Sequence, residues 1–168
     1  MIITKKASTL TSFDLASGTH DTLRLEWYET NKRILHKQTS GGQKISIKFL
    51  QENPDWKEGE IVFADDKNWI SVEIISCEAM VLTPGTIIEA AAISYEIGNK
   101  HLPLFYENNE LLVPFDPPLL RLLQASGYAV KVEIRKLQHP LKTSVSPHGH
   151  TESSGSLFNK ILRLTTNA

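Results

Sequence analysis

The residues of this chain best suited to chemistry are its six histidines: His20, His36, His101, His139, His148 and His150. His101 follows Gly98-Asn99-Lys100, where the glycine predicts the end of a helix, and precedes the chain-reversing Leu102-Pro103. That loop holds the imidazole near a fixed point among apolar neighbours. Two readings follow: a metal ligand, or a helix-end histidine favoured by the macrodipole. Further on, Pro147-His148-Gly149-His150 places two imidazoles around one glycine, whose backbone freedom lets both turn toward one ion. Imidazole nitrogen suits Ni²⁺, Zn²⁺ and Cu²⁺. Two ligands make a weak site, but a twofold axis near His101 would double its contribution, and His148 or His150 could raise the count toward that of a full coordination shell. His20 and His36 read as surface residues of a β-rich region.

Other chemistries lack their residues. The chain has no GxxxxGK[ST] loop, no GxSxG elbow, no HExxH and no paired CxxC. Its single cysteine, Cys77, cannot form an intramolecular disulfide, and no basic residue beside it in sequence would activate a thiolate. A metal-dependent hydrolase is disfavoured because no general base accompanies the histidines. Eighteen basic residues against 19 acidic ones give a formal charge of −1, and so no concentrated positive field for nucleic acid or anionic lipid. No apolar run reaches the length of a membrane span, and the N-terminus turns polar before a signal-peptide core could form. These features predict a soluble, cytoplasmic protein with neither nucleic acid nor membrane as partner.

The elements that must position the histidines fall into two halves. Residues 1–76 alternate apolar and polar side chains in Leu23–Trp27, Ile45–Phe49, Ile61–Phe63 and Trp69–Ile74, the pattern of strands with one wet face. A small β-domain is expected there, packed by Trp27, Trp56 and Trp69. Residues 77–138 read differently. A strand over Glu78–Leu82 leads to Thr86 and Glu89, a capping-box pair, and to a helix with Ile87, Ile88, Ala91, Ala92 and Tyr95 on one apolar face, stopping at Gly98. Leu102–Tyr106 and Glu110–Phe115 form a hairpin across Asn108-Asn109. Asp116 and Pro117 open a leucine-rich helix that Gly127 closes, and Tyr128–Leu137 is a last strand. Strand, helix, strand, strand, helix, strand is the ferredoxin-like order. The predicted class is therefore α+β: a small N-terminal β-domain, a ferredoxin-like βαββαβ domain, and a mobile, histidine-bearing tail over 139–168 in which Leu157–Leu164 regains apolar residues.

The segment Glu96-Ile97-Gly98-Asn99-Lys100-His101-Leu102-Pro103-Leu104 resembles the signature of the UreE urease accessory proteins, G-N-[RK]-H-x-P. The likeness continues through Glu110–Asp116 to Gly127 and, more weakly, over the whole chain. The resemblance implies a non-enzymatic nickel metallochaperone: a homodimer with a peptide-binding-like β-domain. It also implies delivery of Ni²⁺, with Zn²⁺ possible in its place, to the urease apoprotein together with a GTP-hydrolysing accessory protein. The family's interfacial metal histidine falls on His101, and its C-terminal ligand on the tail, where His148 fits better than His150. Three departures stand out. The chain lacks a long polyhistidine end, Glu96 and the 115–117 region offer no additional histidine, and Lys100 stands where Arg is commoner, without its planar fork. The competing reading is an adaptor whose β-domain binds a client protein, with metal binding incidental.

Overall fold

The computed structural model describes residues 1–6, 18–51, 53–65 and 67–141, so His148 and His150 lie outside the described residues. In the first half, β1 (Ile2–Ile3), β4 (Lys44–Lys48) and β3 (Ile34–Gln38) form one three-stranded sheet in that order. A second joins β2 (Thr19–Leu25), β6 (Asn68–Ile74) and β5 (Ile61–Ala64) in the order β2-β6-β5. Alternation decides what each strand buries. Leu23, Leu25, Ile45, Ile47, Ile70, Val72 and Ile74 enter one core with Trp56, while the residues between them are more exposed. Each such fully buried aliphatic side chain contributes roughly 1.5–3 kcal/mol. The short β1 and the strand carrying His36 escape a periodicity reading; β1 is two residues long.

The second half is built on a four-stranded antiparallel sheet in the order β10-β7-β9-β8: β10 is Val130–Arg135, β7 Cys77–Leu82, β9 Glu110–Pro114 and β8 Phe105–Glu107. In the sequence of its own strands this is 4-1-3-2, with α1 (Ile87–Asn99) after the first and α2 (Pro117–Ala125) after the third. The predicted α+β class and ferredoxin-like order are those observed. Met80 and Leu82 of β7, with Leu111 and Val113 of β9, form one face, and Ile93 and Ile97 of α1 with Leu119 and Leu123 of α2 cover it. Asn108 and Asn109 both take positive φ, 47° and 66°, as a two-residue hairpin turn of this hand requires.

The sheet's other face holds Ala79, Val81, Leu112, Phe105 and Leu137, and Trp27 from the first half packs against it. The Trp27 and Phe105 rings meet edge-to-face at 5.6 Å. The expectation that all three tryptophans pack the β-half is thereby corrected. Trp56 does so and Trp69 stacks on His20 of the neighbouring strand at 3.8 Å, but Trp27 joins the two halves. Lys136 Nζ donates to Glu58 Oε1 at 2.7 Å, and Glu58 Oε2 accepts the Ile74 amide at 2.7 Å, so a charged link accompanies the apolar one. A cavity of about 240 Å³ lies between the halves, walled by Trp27, Trp56, Pro103 and Phe105. The chain does not leave the fold at His139, as composition suggested. Tyr106 N–H donates to the His139 carbonyl at 3.1 Å and Leu141 N–H to that of Leu104 at 2.8 Å, so 139–141 lie along β8.

Candidate metal site

The site begins at the N-terminus of α1. Thr86 Oγ1 accepts the Glu89 amide at 3.1 Å, as its spacing predicts, while the Glu89 carboxylate accepts the Gly85 amide at 2.8 Å instead of closing the box on Thr86. Both groups satisfy amides that a helix start leaves without partners.

The other end of α1 carries His101. Gly98 was expected to stop the helix, yet α1 continues to Asn99 with Lys100 as its cap. The His101 amide donates to the Gly98 carbonyl at 2.9 Å and the Leu102 amide to that of Ile97 at 3.4 Å. That bond pair defines a Schellman ending, in which the residue after the cap takes the left-handed conformation. Here that residue is His101, with φ of 55°. α2 ends in the same way: Gly127 donates to Gln124 and Tyr128 to Leu123, and the left-handed residue, at φ 85°, is a glycine. Glycine is the ordinary occupant because it has no Cβ to collide. Leu102 packs on the α1–sheet core beside Ile97, fixing the loop from beneath while His101 itself is exposed. A fixed backbone thus presents a solvent-facing imidazole.

The apolar face read from the sequence on α1 exists, but it points outward. Ile87, Ile88 and Tyr95 are 86%, 78% and 69% exposed, and Ala91 and Ala92 beside them are exposed too. Ile93 and Ile97, on the opposite side, make the core contact. The helix is apolar on two faces and its own chain covers one of them. Gly98 continues the outer stripe, and a Cβ placed there would meet nothing within 4 Å. The stripe ends at His101.

The other described histidines are spent locally or stand apart. His20 Nε2 pairs with Ser71 Oγ at 2.8 Å, and His36 Nδ1 with Ser46 Oγ at 2.8 Å, consistent with roles on the β-sheet surfaces. His139 is exposed, its ring 6.0 Å from that of Tyr106. Cys77 is half-buried, and burial, then the nearby Glu26 carboxylate, push its thiol above its ordinary pKa, the reverse of an activated thiolate. Among the described residues no three of His, Cys, Asp and Glu are grouped so that they could hold a metal ion. A single copy therefore offers the described site one imidazole.

The profile of the UreE urease accessory protein N-terminal domain matches residues 3–75, and that of the C-terminal domain residues 78–157. A urease accessory protein UreE of Flavobacterium johnsoniae is 43% identical over 164 residues, covering 98% of this chain and 99% of the relative. This chain belongs to the UreE family. The UreE of Helicobacter pylori is 33% identical over 94% of the chain and 95% of its own length, and that of Actinobacillus pleuropneumoniae 38% identical over 77% and 69%. UreE proteins are non-enzymatic nickel chaperones of urease maturation. What sequence reading missed is the orientation of the α1 stripe. Its signal was present in Ile93 and Ile97, a second apolar row that the helix could bury in place of the first.

Proposed function

We propose that this chain carries Ni²⁺ as a homodimer, with His101 of both copies at the twofold axis as the metal-holding pair. The observation that carries this reading is the placement of His101. It stands where a helix ending calls for glycine, exposed, at the end of an uncovered apolar stripe. An isologous contact along Ile87, Ile88, Ala91, Tyr95 and Gly98 would bury that stripe and bring the two imidazoles toward each other. The small residues Ala91 and Gly98 would allow close approach. His148 and His150 would supply further ligands, with Zn²⁺ an acceptable substitute for the cargo.

In this reading the functional units are 1–76, 77–138 and 139–168, and the cargo passes in the cytoplasm to the urease apoprotein, together with a GTP-hydrolysing accessory protein. Among the described residues no helix is long and apolar enough to cross a membrane. The deciding experiment is calorimetric titration of the full chain with Ni²⁺. Uptake of roughly one tightly held ion per pair of chains, lost in His101→Ala, is the expected result. An ion held by each separate chain, and retained in His101→Ala, would overturn the proposal.

A further inference from the structure

A second uncovered surface lies on β10. This strand forms one edge of the four-stranded sheet and pairs only with β7 among the described strands. Which of its backbone groups are free follows from the register. The Glu78 carbonyl accepts the Phe115 amide, so Glu78, Met80 and Leu82 direct their backbone groups toward β9. Cys77, Ala79 and Val81 therefore bond toward β10, to their register partners Arg135, Glu133 and Lys131. The N–H and C=O groups of Val130, Val132 and Ile134 point to the open edge. Pro114 fits the same register: it faces Ala79, a residue bonded the other way, so β7 asks no amide of it.

The side chains of that same set are apolar. Val132 is 44% exposed and Ile134 is 66% exposed, while Val130 rests partly on the core. Lys131 and Glu133 project to the other face. An edge with free backbone groups and an exposed apolar row is a template for another strand. We propose that β10 pairs antiparallel with β10 of a second copy, about a twofold axis at Val132.

The sequence of the strand selects this register and this occupant. Centred on Val132, Val130 faces the second copy's Ile134, Val132 faces itself, and each of these outward-bonding pairs exchanges both N–H···O bonds. On the opposite face Lys131 stands across from the second copy's Glu133, twice by symmetry. Centring on Lys131 or Glu133 would oppose like charges, and centring between residues would set outward-bonding positions against inward-bonding ones. Centring on Ile134 would place Val132 against Lys136 and would set Glu133 against an Arg135 already held by Glu107 and Glu110 at 2.7 and 2.9 Å and by its own chain's Glu133 through one carboxylate oxygen at 3.2 Å. That leaves the other Glu133 oxygen for Lys131 of the second copy in the Val132 register. The strand is its own complement. The contact joins both copies' sheets into one and is distinct from the α1 stripe, so a chain using both would assemble beyond a pair.

A disulfide trap tests this independently of metal. In full-length chain with Cys77→Ala, Val132→Cys places two thiols on the axis, about 5.5 Å apart at Cα, inside the roughly 4.4–6.8 Å that a disulfide spans. Ile134→Cys leaves its two Cα atoms about 14 Å apart, offset by about four residues along the strands. In chelator and mild oxidant, the 132 variant should link into a covalent pair and the 134 variant should not. Adding Lys131→Glu to the 132 variant should slow linking about tenfold. Mixing that chain with one carrying Glu133→Lys should restore it, because each mixed contact is again of opposite charge. Equal linking at 132 and 134, or linking indifferent to the charge changes, would overturn the proposal. Because no metal is present, the result stands apart from the fate of the His101 reading.

Discussion

Replacing His101 with glycine should make the protein more stable than replacing it with alanine, while both lose the metal. His101 has φ of 55° in a Schellman ending whose counterpart on α2 is Gly127. A residue with a Cβ costs about 1–2 kcal/mol in the left-handed region. Glycine avoids that cost but brings a freer unfolded chain, which offsets about 0.4–1 kcal/mol. The net expectation is that His101→Gly exceeds His101→Ala by about 0.5–1 kcal/mol, with the wild-type chain close to the alanine variant. Urea unfolding in chelator would measure it, at one fixed protein concentration because pairing makes apparent stability concentration-dependent. Equal denaturant slopes would show that only stability has changed. Nickel titration of the same variants supplies the functional arm. An alanine variant as stable as the glycine variant, or more so, would mean that residue 101 is not left-handed in solution. Glycine would then not be the residue that this backbone position favours, and His101 would occupy it without strain.

Two other predictions follow from the same structure. The α1 stripe is exposed in a single chain, so Ile88→Lys should leave folding of that chain within about 0.5 kcal/mol but shift size-exclusion mass from pair toward single chain; a pair that survives the substitution would remove the stripe from the interface. The Glu29 carboxyl is raised by burial, but the Lys37 ammonium and the Glu26 amide outweigh this and hold it below the usual range. A carboxyl depressed in the folded state contributes stability that is present above its unfolded pKa and lost as pH falls through its folded one. Glu29→Gln should therefore destabilise at neutral pH and flatten the acid limb of a stability-against-pH curve, whereas an unchanged acid limb would place the stabilising charge elsewhere.

Much of this protein was legible before any coordinates. The alternation of Leu23–Leu25, Ile45–Ile47 and Ile70–Ile74 determined which side chains are buried in the first half, because a strand's faces are fixed by odd and even positions. Asn108-Asn109, Asp116-Pro117 and Gly127 marked turn, helix start and helix end through local backbone preferences that need no tertiary partner. The Gly98-Asn99-Lys100-His101 segment pointed to the family through its likeness to the family signature, which local sequence also carries without a tertiary partner. Tertiary structure decided what periodicity leaves degenerate. α1 has apolar residues on two faces, and only its packing on Met80, Leu82 and Val113 shows that Ile93 and Ile97 turn inward while Ile88 and Tyr95 stay out. Whether Trp27 packs within its own half or against Phe105 is a long-range contact that no local pattern encodes. The open edge of β10 is likewise a property of strand order, since Val132 and Ile134 read as an ordinary strand until the sheet shows that nothing lies beyond them. Local chemistry chose the elements; the free energy of burying one face in preference to another chose how they meet.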